Sequence, residues 1–159
     1  MCTLLRFHPM TAVGGPPAGN GAVGVAVAAV FVWLGMVLAI SFVETPLKFR
    51  APGVTLQVGL GIGRLVFRAL NACELVLAAV VVACFAVKPP TAGIVGAAAV
   101  AVVGLMAQML VVRPWLTRRS DAVLAGGEGP RSRAHWGYVG LEIVKVIALL
   151  IAGVLLLAT

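Results

Sequence analysis

Apolar residues run along this chain in four long blocks, separated by short stretches of proline, glycine and charge. The first block, about Ala22 to Val43, reaches "ETPLKFRAPG", where Pro46 and Pro52 argue for a helix stop. The second pattern runs from Leu56 to Val87. As one helix it would extend about 48 Å, well past a hydrocarbon core of about 30 Å. A span over 70–87 is therefore expected, with "LQVGLGIGRLVFRA" forming an interfacial helix that leads into it. Gly59, Gly61 and Gly63 are its candidate bend points. Lys88–Pro90 is a short turn, and the third span covers 92–112. Gly93, Ala97 and Ala101, and likewise Gly96, Val100 and Gly104, recur at every fourth position, the spacing of close helix contact in lipid. "RPWLTRRSDAVLAGGEGPRSR" reads as a polar loop in which "SDAVLAGGEGP" suits a short surface helix ended by glycine, with Asp121 and Glu128 solvated. The fourth span covers 136–158.

The pattern predicts an all-α polytopic membrane protein. A flexible leader, 1–21, precedes one transmembrane domain, 22–159, whose four helices form an up-and-down bundle. Composition agrees: 62% of residues are hydrophobic and 11% charged, where a soluble domain has about a quarter charged.

A net charge of +7 would suggest nucleic acid if the bases formed a patch on a soluble face. Here they sit between apolar runs and set orientation instead. Lys48, Arg50, Arg64 and Arg68 precede the second span, and Arg113, Arg118, Arg119, Arg131 and Arg133 lie between the third and fourth. These nine of twelve bases share one side, which places that side in the cytoplasm and both termini outside. Abundant Ala, Val, Gly and Arg with little Lys point to a GC-rich bacterial genome, and the expected location is the bacterial inner membrane. The first span is expected to act as its own insertion signal, because Met1–Asn20 lacks an apolar centre. Cys73 and Cys84 lie about 16 Å apart along one helix and cannot bridge, so they and Cys2 read as small hydrophobic side chains.

Polar residues within the apolar blocks carry the candidate chemistry. Arg64, Asn71 and Glu74 are spaced seven and three apart, and so share a helix face. His135, Glu142 and Lys145 repeat that spacing, with Tyr138 between them. Helices two and four of an up-and-down bundle run the same way, so both stripes begin at one surface. Ser41, Glu44 and Gln108 fall in the same cytoplasmic half. A charge at membrane depth costs at least about 2.5–3.5 kcal/mol, so partners are required. Glu142 and Lys145 can pair within their helix. Glu74 lies about 9 Å along the axis from Arg68, which makes Lys145 its natural partner; Glu44 could meet Arg64 or Arg113. The candidate cluster is Glu44, Arg64, Arg68, Asn71, Glu74, Gln108, His135, Tyr138, Glu142 and Lys145.

Other signals have plainer readings. "GLGIGR" follows no strand, so it is not a phosphate loop. A haem held by two histidines lacks a second intramembrane His, since His8 lies in the leader. His135, Glu142 and Glu44 could form an oxygen-rich cation site, but the simpler reading of His135 is a helix cap or a carboxylate partner. Trp33 is expected to pack between helices, with Trp115 and Trp136 as interfacial anchors. Ser41 and Ser132 lack catalytic partners. No catalytic, metal or cofactor residues are assigned.

"WLGMVLAISFVETPLKF", Trp33 to Phe49, resembles the first-helix signature of small bacterial four-helix membrane proteins grouped as domains of unknown function. There a Trp-x-Gly sequence leads to a Pro and a Phe at the helix exit. Glu44 departs from the mostly apolar pattern of that group. The resemblance covers the first half of the chain and implies a four-helix membrane fold with no established activity.

Two functions fit. The first is a structural or accessory subunit, or a minimal transport element, acting through the polar cluster in a homo-oligomer or larger membrane complex. The alternative is a membrane enzyme or carrier for an amphipathic molecule, a quinone or lipid, beside Glu74, Glu142, Lys145 and His135. That alternative needs a cavity of several hundred Å³ lined by those groups; a tightly packed interior favours the first.

Overall fold

The computed structural model describes residues 18–124 and 133–159, and no strand occurs among them. Its elements are α1 (Ala18–Val37), a π-helical stretch Leu38–Glu44, α2 (Thr45–Lys48), α3 (Leu56–Val87), α4 (Ala92–Ala107), a second π-helical stretch Gln108–Val112, α5 (Arg113–Leu124) and α6 (Arg133–Leu157). Four continuous helical runs are long and apolar enough to cross a membrane: Gly19–Lys48, Leu56–Val87, Ala92–Trp115 and Gly137–Leu157. Sequence expectations for Cys2, His8, Glu128, Arg131 and Ser132, and for the side chains of Arg119, Arg133, His135 and Trp136, lie outside the described residues.

The prolines do not stop the helices where the pattern suggested. Pro46 sits inside a helix that continues to Lys48, and Pro114 inside one that continues through α5 to Leu124. In both places a π-helical stretch ends two residues before the proline. A proline ring clashes with the carbonyl four residues back and leaves it without a donor. A π-turn widens the helix at that point and hands each carbonyl to a donor five residues on. The Ile40 carbonyl accepts from both the Thr45 N–H and its hydroxyl, the latter at 2.9 Å, and the Gln108 carbonyl accepts from the Arg113 N–H. The helix widens and survives. Its end comes only at the Phe49–Arg50 turn and Gly53, whose φ of +78° is open chiefly to glycine.

The interfacial helix expected before the second span is not a separate element. α3 is one 32-residue helix, capped at its start by the Thr55 hydroxyl accepting from the Val58 N–H at 3.3 Å. Gly59 and Gly63 make room for the end of α2 and the turn after it. A Cβ on Gly59 would strike the Phe49 ring, and one on Gly63 would lie 3.0 Å from Lys48 Nζ. The helix ends at Lys88, before Pro89 and Pro90.

α1 packs along both α3 and α6, α6 packs along α4, and α3 touches α4 little. The core between them contains Ala26, Ala29, Val30, Trp33, Val37, Ala78, Val81, Ile94, Ala98, Ala101, Leu105, Leu149 and Ala152. Many of these are alanines, which let backbones approach closely without hydrophobic drive from the lipid. On α4 the buried face is Ile94, Ala98, Ala101, Gly104 and Leu105; of the two four-residue stripes, Gly93, Gly96 and Val100 face outward. Gly19 at the start of α1 lies beside Lys88 at the end of α3, and Gly93 of α4 beside Leu155 of α6. Arg64 near the start of α3 meets α5.

Candidate functional site: a buried ion cluster

Where α1, α3, α6 and the second π-helical stretch converge, the apolar core gives way to polar side chains. Glu74, Gln108 and Lys145 are 0% exposed, Glu142 1% and Asn71 2%. The i,i+3 spacing of Glu142 and Lys145 turns both inward from α6. Glu74 arrives from α3 and Gln108 from the first residue of the π-turn.

Lys145 is the hub. Its Nζ lies 2.5 Å from Glu74 Oε1 and donates to Gln108 Oε1 at 2.7 Å. Its contacts with Glu142 are longer, 3.4 Å to Oε1 and 3.3 Å to Oε2, and only the first has hydrogen-bond geometry. An ammonium has three donors, so these three side chains use all of them. Gln108 completes the ring by donating from Nε2 to Glu142 Oε1 at 3.0 Å. Its amide orientation follows, because only its oxygen can accept from the lysine. Trp33 adds an indole N–H to Glu74 Oε1 at 2.8 Å. Pattern reading placed Trp33 only as packing between helices; nothing in its spacing identified the carboxylate it meets.

The donors are unevenly shared. They converge on the Oε1 atoms, while Glu74 Oε2, Glu142 Oε2, Asn71 Oδ1 and Tyr138 Oη are buried without a hydrogen-bond partner. Tyr138 is one helical turn before Glu142, with its ring edge-on to Phe67 at 5.2 Å between centroids. Its hydroxyl lies within electrostatic reach of both Glu142 and Glu74.

The remaining cluster residues are placed elsewhere. Glu44 pairs with Lys48 at 3.2 Å, one turn along its own helix, rather than with Arg64 or Arg113. The local partner prevails because the helix continues through Pro46 and so presents Lys48 on the same face. Arg64 reaches Asp121 Oδ1 at 2.6 Å and the Thr117 carbonyl at 3.2 Å. Asp121 is thus engaged instead of merely solvated, because α5 extends the third helix past the expected loop. Arg68 is exposed, and Cys73 and Cys84 are free thiols. Among the described residues no group of three His, Cys, Asp or Glu side chains could hold a metal ion.

Cavities occur away from the cluster. One of about 200 Å³ lies at the opposite end, among Ala22, Phe85, Lys88, Thr91 and Thr159. Another, of about 270 Å³, is an open apolar groove between α4 and α6 along Gly96, Val100 and Ile147.

Among the described residues, four apolar helices of spanning length mark the chain as a multi-pass membrane protein with a helical bundle. No protein-family model, curated protein or solved structure matches it.

Proposed function

We propose that this chain is a structural or accessory subunit of a bacterial inner-membrane assembly. Its buried cluster locks the helices in register and can serve as a minimal transport element. The carrying observation is that Lys145 spends every donor on Glu74, Gln108 and Glu142 and is fully buried. Breaking such a network by removing one partner costs about 3–5 kcal/mol, which suits a lock. The quinone or lipid reading needs a cavity lined by these residues, and the cavities described above lie elsewhere. The resemblance of Trp33–Phe49 to small four-helix bacterial membrane proteins supports the same class.

The course of the chain in this reading is up and down. Contacts of Gly19 with Lys88, and of Gly93 with Leu155, pair the start of one helix with the end of another. The charge bias puts the Phe49–Val54 turn and residues 125–132 in the cytoplasm and both termini outside. The first part of α3, with exposed Leu56, Val58, Ile62 and Leu65, lies in the interfacial zone on that side.

Native co-purification in mild detergent, read by mass spectrometry, tests the proposal. A stoichiometric protein partner or a defined homo-oligomer is the expected result. A monomer carrying a stoichiometric amphipathic small molecule would overturn it. Reporter fusions at both ends test the orientation, which fails if either end is cytoplasmic.

A further inference from the structure

The cluster holds two carboxylates and one lysine, and no second cation lies within ion-pair distance among the described residues. If both glutamates were ionised, a net negative charge would be sealed where the side chains are 0–1% exposed. An unpaired buried charge costs several kcal/mol even after relaxation, and carboxyls so placed neutralise instead. Among the described residues, no other cation lies within ion-pair distance of either glutamate to cancel it. From α1 the cluster is faced by Trp33, and from the π-turn by Gln108, both uncharged. From α6 come Tyr138, Glu142 and Lys145, and from α3 Glu74 with Asn71. Arg113 of α5 reaches Tyr138 electrostatically but forms no ion pair with either glutamate.

The hydrogen bonds point the same way. Lys145, Gln108 and Trp33 all donate to Oε1 atoms, and both Oε2 atoms lack a donor. Nearby, the Tyr138 hydroxyl and Asn71 Oδ1 are buried and unpartnered. A hydrogen on one Oε2 would supply the missing donor and cancel the surplus charge together. Two carboxyls that cannot both ionise share one proton for this reason.

We propose that Glu74 and Glu142 together hold one exchangeable proton, with Lys145 setting the count, so that the cluster is a proton-binding site. The site rests on the cluster of the preceding proposal and adds a ligand to it. Binding is simple proton addition: an O–H bond forms at one Oε2, and release breaks that bond and returns the proton to water.

Infrared spectroscopy of the purified full chain in lipid nanodiscs at neutral pH tests this. The protein has only five side-chain carboxyls, Glu44, Glu74, Asp121, Glu128 and Glu142, so a protonated-carboxyl carbonyl band is assignable. Wild type should show one such band, shifted in D₂O. Glu74→Gln and Glu142→Gln should each abolish it, because either leaves one carboxylate against one lysine. A band that survives in either variant overturns the proposal. Lys145→Met should increase the band about two-fold, since both carboxyls must then be neutral; an unchanged band overturns it. A band that appears only when sodium is replaced by choline would assign the charge to a metal cation and also overturn it. Variants are compared only where circular dichroism shows wild-type helicity, and isotope-edited spectra of wild type replace any variant that does not fold. These readouts are independent of co-purification, so a missing partner and a missing proton are separate failures.

Discussion

The two halves of the bundle are held by different physics. Around Ala26, Ala78, Val81, Ile94, Ala98 and Ala152, helices meet through small and branched apolar side chains with no polar atom between them. Around Trp33, Glu74, Gln108, Glu142 and Lys145, the same four runs meet through a closed set of hydrogen bonds and ion pairs. In lipid the first kind of contact competes with equally apolar tails and gains only by packing, so it is graded and forgiving. The second kind is specific. Each donor has an assigned acceptor, and losing one strands the others where water cannot compensate. The polar half therefore specifies the register more sharply than the apolar half does.

The widest gap between the halves should appear at Lys145. Lys145→Met removes a donor from Glu74, Gln108 and Glu142 at once, and a loss of about 3–5 kcal/mol is expected. Reversible unfolding in mixed micelles would measure it. The triple replacement Glu74→Gln, Glu142→Gln, Lys145→Met should recover most of that loss, because no carboxyl is left that must take up a proton to stay buried. A triple variant as unstable as the single one would show that packing around the lysine stem, and not charge, distinguishes the polar half.

Trp33 joins both halves, with its ring in the apolar core and its N–H on Glu74. Trp33→Phe keeps most of the ring and removes one hydrogen bond to a charged group, with an expected cost of about 1.5–3 kcal/mol. In the apolar half, Ala101→Leu adds bulk at a position with 0% exposure, where overpacking costs about 1–3 kcal/mol. If Ala101→Leu proves more damaging than Lys145→Met in the same assay, the contrast between the halves is reversed.

The four apolar runs were legible because length and hydropathy are properties of the sequence alone. The one-face placement of Asn71 with Glu74, and of Tyr138 with Glu142 and Lys145, was legible for the same reason: spacings of three, four and seven define a helix face. What was not legible depends on tertiary geometry. Pro46 read as a stop because a proline disfavours a regular α-helix, and the stretch from Arg113 read as a polar loop from its charges. π-turns ahead of Pro46 and Pro114 absorb the clash, and both helices continue. These misreadings moved two partners: the first hid Lys48 from Glu44, and the second hid the unbroken helix that carries Thr117 and Asp121 to Arg64. Trp33 was hidden differently, since an indole inside an apolar run gives no sign of what its N–H meets.

The smallest effect is expected where the polar half meets solvent. The Arg64–Asp121 pair is short, at 2.6 Å, but its side chains are 33% and 61% exposed. Exposed pairs contribute about 0–1 kcal/mol, because water screens the attraction and two long side chains lose freedom. Arg64→Gln should therefore change stability by less than about 1 kcal/mol, and the difference should shrink as salt is raised. The same replacement in a Lys145→Met background should simply add to that variant's loss, because Asp121 shares no partner with the buried cluster. A strong coupling between the two sites would mean that the cluster extends to the surface of α5. The sealed interior would then be the end of a polar path and no longer an isolated lock.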